Sequence, residues 1–135
     1  MPSDPTHWLF RLAPDAWLAA AETELVHCEE KLSRRATRPG VTHARRAAGM
    51  ACNSVLALRE DDRYGRSYME HVVFLSQDDA APEEVRAAAQ QLRDAPAAPP
   101  ALITLGKPDL GPLTAARRIV AYARSRVAAL SAAPS

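Results

Sequence analysis

Two successive runs of this chain repeat small apolar residues at helical period. Trp17, Ala21, Leu25, Cys28 and Leu32 recur at spacings of four, four, three and four, and Ala44, Ala48, Ala51, Val55 and Leu58 at four, three, four and three. Only a helix gathers such positions on one face. Glu22, Glu29 and Glu30 fall off the first stripe, which makes it amphipathic. The second stripe is largely alanine with Gly49 beside it, so that backbone can approach its neighbour closely. Aromatic residues make up 5% of the chain, strand formers are scarce, and the core must come from Leu, Val and Ala, which suits helices.

Three further helices follow from the same reading. Tyr64, Tyr68, Val72 and Leu75 predict a short helix over Gly65 to Ser76, with Gly65 near its start. Pro82 with Glu83 and Glu84 opens a fourth helix, proline and acids both suiting a first turn, with Val85, Ala88, Ala89 and Leu92 as its face. Ala116, Val120, Ala123, Val127 and Leu130 give the inward face of a last helix over Leu113 to Leu130. Arg38-Pro39-Gly40 is expected to break the chain after the first helix, and Thr42 to cap the second. Residues 1–12, with Trp8, Leu9, Phe10 and Leu12, form an apolar lead-in; Leu102, Ile103 and Leu105 form a short unassigned apolar segment; residues 131–135 form a frayed tail. A length of 135 residues supports one core. The expectation is an all-α, up-and-down bundle of about five helices over residues 13–130, and the lack of a fixed period excludes a solenoid.

The net charge of +1 hides an uneven distribution. From Lys31 to Arg59 there are seven basic residues, Arg45 and Arg46 among them, and no acid; after Asp109, Arg117, Arg118, Arg124 and Arg126 are likewise unopposed. Such a face is either solvated or meets a polyanion. Cys28 and Cys52 fall on apolar stripes and read as buried free thiols of a reducing cytosol. There is no signal-peptide pattern and no apolar run of about 20 residues, so the expected location is cytoplasmic, with no membrane association.

Glu24 with His27 is the single Glu-x-x-His pair, where a di-metal bundle needs two. Cysteine spacing for zinc and a phosphate-binding Gly-rich loop are both absent, and no metal or cofactor is predicted. A three-histidine site from His27, His43 and His71 stays open, since these fall on three different helices. The one chemically mixed stretch is Tyr64-Gly65-Arg66-Ser67-Tyr68-Met69-Glu70-His71. On a helix Ser67 would share a face with His71, and Arg66 with Glu70, while Arg66 and His71 would diverge by about 140°. An arginine in the first turn can still swing over the helix end. The plainer alternative is a structural His71, half-buried and hydrogen-bonded to the first or last helix.

The long first helix opening Trp17-Leu18-Ala19-Ala20-Ala21, the small-residue second helix, Arg66-Ser67-Tyr68-Met69-Glu70-His71-x-x-x-Leu75, the Glu-rich fourth helix and the closing Ala115-Ala116-Arg117-Arg118-Ile119-Val120-Ala121-Tyr122-Ala123 follow one another in an order that resembles small bacterial members of the HEPN superfamily (higher eukaryotes and prokaryotes nucleotide-binding). The resemblance covers roughly residues 13–130. It implies a helical bundle, often a homodimer, that associates with nucleotide, RNA or a nucleotidyltransferase-type protein partner. Two classes of function follow. In the first the protein is a non-catalytic binding module whose groove uses Tyr64, Ser67, Tyr68 and the cations Arg45, Arg46, Arg117 and Arg118. In the second it is a metal-independent endoribonuclease in which His71 takes a proton from a ribose 2′-hydroxyl and Arg66 stabilises the phosphorane. Arg66 and His71 match the spacing of the nuclease motif but not its usual place on the last helix.

Overall fold

The computed structural model describes residues 12–96 and 106–132 and is all-helical there. Its elements are α1 (Pro14–Ser33), α2 (Thr37–Leu56), a 3-10 turn (Asp62–Tyr64), α3 (Tyr68–Leu75), α4 (Glu83–Asp94) and α5 (Gly111–Ala132). The lead-in through Arg11, the apolar segment Leu102 to Leu105 and the last three residues lie outside the described residues. No described helix is long and apolar enough to cross a membrane.

The periodicities select the buried faces well. Trp17, Ala21, Leu25, Cys28 and Leu32 are all buried on α1; Val85, Ala88, Ala89 and Leu92 on α4; Ala116, Val120, Ala123 and Val127 on α5. Helix α2 is the hub, touching the other four helices. Its alanines and Gly49 let neighbours come close: a Cβ at Gly49 would fall inside the Tyr68 side chain. The last turn of its stripe shifts, since Leu56 is buried while Leu58 lies beyond the helix and is 43% exposed.

The break between α1 and α2 falls earlier than Pro39-Gly40. Ala36 N–H donates to the Lys31 carbonyl at 2.9 Å and Arg35 N–H to that of Leu32 at 3.0 Å, with Arg35 left-handed at φ 62°. This is a Schellman ending with arginine where glycine is usual. Pro39 then stands in the first turn of α2, where a missing N–H costs nothing. Gly40 seats against Leu32. Thr42 is no cap, because its hydroxyl donates to the Arg38 carbonyl inside the helix.

Helix α3 starts three residues later than its apolar spacing predicts. Gly65, at φ 71°, ends the 3-10 turn, and Ser67 is the N-cap. Ser67 Oγ accepts from the Glu70 N–H at 3.0 Å while the Glu70 carboxylate accepts from the Ser67 N–H at 3.2 Å, a reciprocal capping box. Arg66 and Ser67 therefore precede the helix, and the face assignment that paired Arg66 with Glu70 does not hold. Helix α5 runs two residues further at each end than the expected Leu113–Leu130, so Ser131 and Ala132 are helical.

Candidate functional site

His71 is fully buried. Its Nδ1 lies 2.7 Å from the Tyr64 carbonyl and its Nε2 2.7 Å from Asn53 Oδ1. Two oxygen partners would demand an imidazolium, yet burial pushes the His71 pKa below its ordinary value. The Asn53 Nδ2 atom is meanwhile buried without a partner. Turning the Asn53 amide over reconciles both facts: Nδ1–H donates to Tyr64 and Nε2 accepts from Asn53 Nδ2. His71 is thus a neutral bolt between α3, the 3-10 turn and α2. The sequence reading tied a structural His71 to the first or last helix; α2 takes that place.

The other anticipated residues scatter. Arg66 is exposed, so chain geometry places it in solvent and His71 in the core. Ser67 serves as the cap. Tyr68 packs over Gly49, close enough to feel the charges of Arg46 and Glu24. Arg45 donates to the carbonyls of Leu92, Arg93 and Ala95 at 2.8, 3.3 and 3.2 Å, closing the α4 C-terminus. Arg46 meets Glu24 at 2.7 Å, Arg117 meets Glu29 at 3.2 Å and Arg124 meets Glu22 at 2.9 Å. The basic runs look unopposed along the chain because their acids lie on α1, which the fold brings alongside. Arg118 stays exposed.

Of that group, Tyr64 lines the cleft with an apolar floor, while Arg46 and Arg117 each border a shallower surface cleft. A cavity of about 240 Å³ opens between the C-terminal turn of α2, the 3-10 turn and α5. Its floor is apolar, built from Val55, Leu56, Leu75, Ile119 and the Cys52 thiol. Burial pushes that thiol up to about 12, so it is a neutral wall and not a nucleophile. Tyr64 and Tyr122 form the sides. The Tyr64 hydroxyl donates to Asp78 Oδ2 at 2.5 Å, and burial first, then this bond, raises its pKa. At the rim Arg63 is occupied, bonding Asp61 through two nitrogens at 2.9 and 2.7 Å and lying over the Phe74 ring. Arg59 and Arg126 also line the cleft, with Glu60 and Asp61 beside them; Asp61 feels the charge of Arg59, though neither arginine forms an ion pair with a described residue.

This gives an apolar slot with aromatic sides whose lining carries both guanidinium and carboxylate groups. Sequence reading missed Arg59, Asp78, Ile119, Tyr122 and Arg126, since nothing local joins residues nearly seventy positions apart. Among the described residues no three of His, Cys, Asp and Glu are placed to hold a metal, and His71 stands apart from His27 and His43. Comparison of the chain with known protein families, curated proteins and solved structures finds no match.

Proposed function

We propose that this protein is a non-catalytic binding module for a nucleotide, free or at the end of an RNA chain, held in the cleft between α2 and α5. The observation that carries the reading is the pairing of an apolar, aromatic-sided floor with Arg59 and Arg126 at its rim. A base fits against Ile119 and Tyr122, where apolar contact and ring stacking both contribute, and a phosphate meets the two arginines. A volume of about 240 Å³ suits a mononucleotide with its phosphate outside better than a dinucleotide. The HEPN-like order of helices supports nucleotide over other anions. Burial and double hydrogen bonding of His71 favour this module over the alternative ribonuclease, which needs an accessible imidazole.

Calorimetric titration with purine and pyrimidine monophosphates tests the reading. Arg59→Ala and Arg126→Ala should each weaken binding by about tenfold, one charge-assisted hydrogen bond's worth. A nucleoside lacking phosphate should bind more weakly than its monophosphate. Equal affinity of nucleoside and nucleotide, or an unchanged Arg59→Ala/Arg126→Ala double variant, would overturn it. Incubation with single-stranded RNA in EDTA addresses the enzyme alternative: cleavage lost in His71→Ala would refute a binding-only protein.

A further inference from the structure

A second cluster lies on the α1–α2 surface, away from any residue of the nucleotide cleft. Glu24 is 6% exposed, and both of its carboxylate oxygens are held: Oε1 by Arg46 Nε at 2.7 Å and Oε2 by His43 Nδ1 at 2.9 Å. A carboxylate against Nδ1 fixes the tautomer of the ring, because Nδ1 must carry the proton it donates. The lone pair of His43 then sits on Nε2, turned away from Glu24. His27, three residues after Glu24 on α1, places its ring centroid 5.3 Å from that of His43 with a tilt of 35°. The two rings share a shallow surface cleft with Thr23, Arg46 and Met50.

That ring spacing is ordinary for two packed rings and is also the one that a shared metal ion would set. Two imidazoles bound to one tetrahedral ion, each with a metal–nitrogen bond of about 2.1 Å, hold their centroids about 5 Å apart. A carboxylate behind one ring is the usual outer partner of a metal-binding histidine, and here it is already in place. Arg46 lies close by, but its charge is offset by Glu24, so the cleft does not repel a cation with a free guanidinium. We propose that His27 and His43 bind a divalent transition ion of the zinc or copper class, with Glu24 orienting His43. His71, sealed against Asn53 and Tyr64, is no part of it. With two protein ligands the ion keeps open positions. It would therefore take up water or an anionic ligand from solution, in contrast to a closed four-ligand site that only braces the fold.

The test uses the full chain with no polyhistidine tag. Titration with Zn²⁺ by calorimetry, and with Cu²⁺ by electron paramagnetic resonance, should show one ion per chain and coupling to two imidazole nitrogens. His27→Ala, at an exposed position that leaves the core intact, should lower Zn²⁺ affinity at least tenfold. Glu24→Gln should weaken it by about 10- to 100-fold, the usual effect of losing an outer partner. Absence of saturable binding would overturn the proposal. Zn²⁺ affinity unchanged in His27→Ala would overturn it too, as would copper spectra showing no nitrogen coupling.

Discussion

Lowering the pH from about 7.5 to about 5.5 should destabilise the bundle through His71. Burial holds the folded pKa of this imidazole below its ordinary 6.5, with the Tyr64 carbonyl and Glu70 opposing more weakly. In the unfolded chain the same ring protonates as pH falls through that ordinary value. The unfolded state then binds a proton that the native state refuses, so stability falls as pH falls through about 6.5 and levels off only below the folded pKa. The loss over this range is at most about 1.4 kcal/mol, the limit set by a native ring that takes up no proton. For a chain of this length that limit amounts to about 4–7 °C in melting temperature. Asp61, Glu70 and Asp94 leave this window clear, because hydrogen bonds from Arg63, Ser67 and Arg93 hold them below their ordinary values, and their contribution is lost only in stronger acid. Urea denaturation at a series of pH values is the assay, run beside His71→Gln, which can hydrogen-bond but does not titrate. The variant should lose this part of the pH dependence, up to about 1.4 kcal/mol, whatever its absolute stability. An unaltered pH slope in His71→Gln, or a wild-type protein that gains stability toward pH 5.5, would refute a neutral His71 bolt.

Three more outcomes follow from the same packing. Gly49→Ala should cost about 1–3 kcal/mol in urea denaturation, because its methyl enters the Tyr68 side chain, and this outweighs the gain of about 1 kcal/mol that alanine brings to a helix; a more stable variant would show that Tyr68 can move aside. Ser67→Ala, by removing the acceptor of the capping box, should cost about 1 kcal/mol, whereas Arg66→Ala, which removes only an exposed side chain beyond the helix, should stay within about 0.5 kcal/mol. Burial pushes the thiols of Cys28 and Cys52 up to about 11 and about 12, so neither should react with a thiol reagent near pH 8 until urea unfolds the chain, when both should.

The number of helices and their buried faces were legible along the chain because burial leaves a periodic record. A face that must be dry repeats every three to four residues, and Ala21, Ala88 or Val120 could be placed without any knowledge of what covers them. Helix ends were less legible. The spacing of Tyr64 and Tyr68 extended α3 one turn too early, since two tyrosines one turn apart look the same whether they share a helix or flank its cap. Pro39 misled for a related reason: whether it breaks a helix or opens one depends on where the preceding helix has already closed, and Arg35 closed it in a conformation that no residue type announces.

The sequence by itself determined an all-helical bundle, its inward stripes and two inert cysteines, because these depend on what each residue does next to its near neighbours. Tertiary structure alone decided which polar groups remain available. Asn53 and the Tyr64 carbonyl occupy His71, α1 carboxylates occupy Arg46 and Arg117, and the end of α4 occupies Arg45. Arg59 and Arg126 at one cleft, and His27 beside His43 at another, are brought together across helices. A charge or an imidazole is free only if nothing distant in sequence answers it, and that is a property of the packed chain.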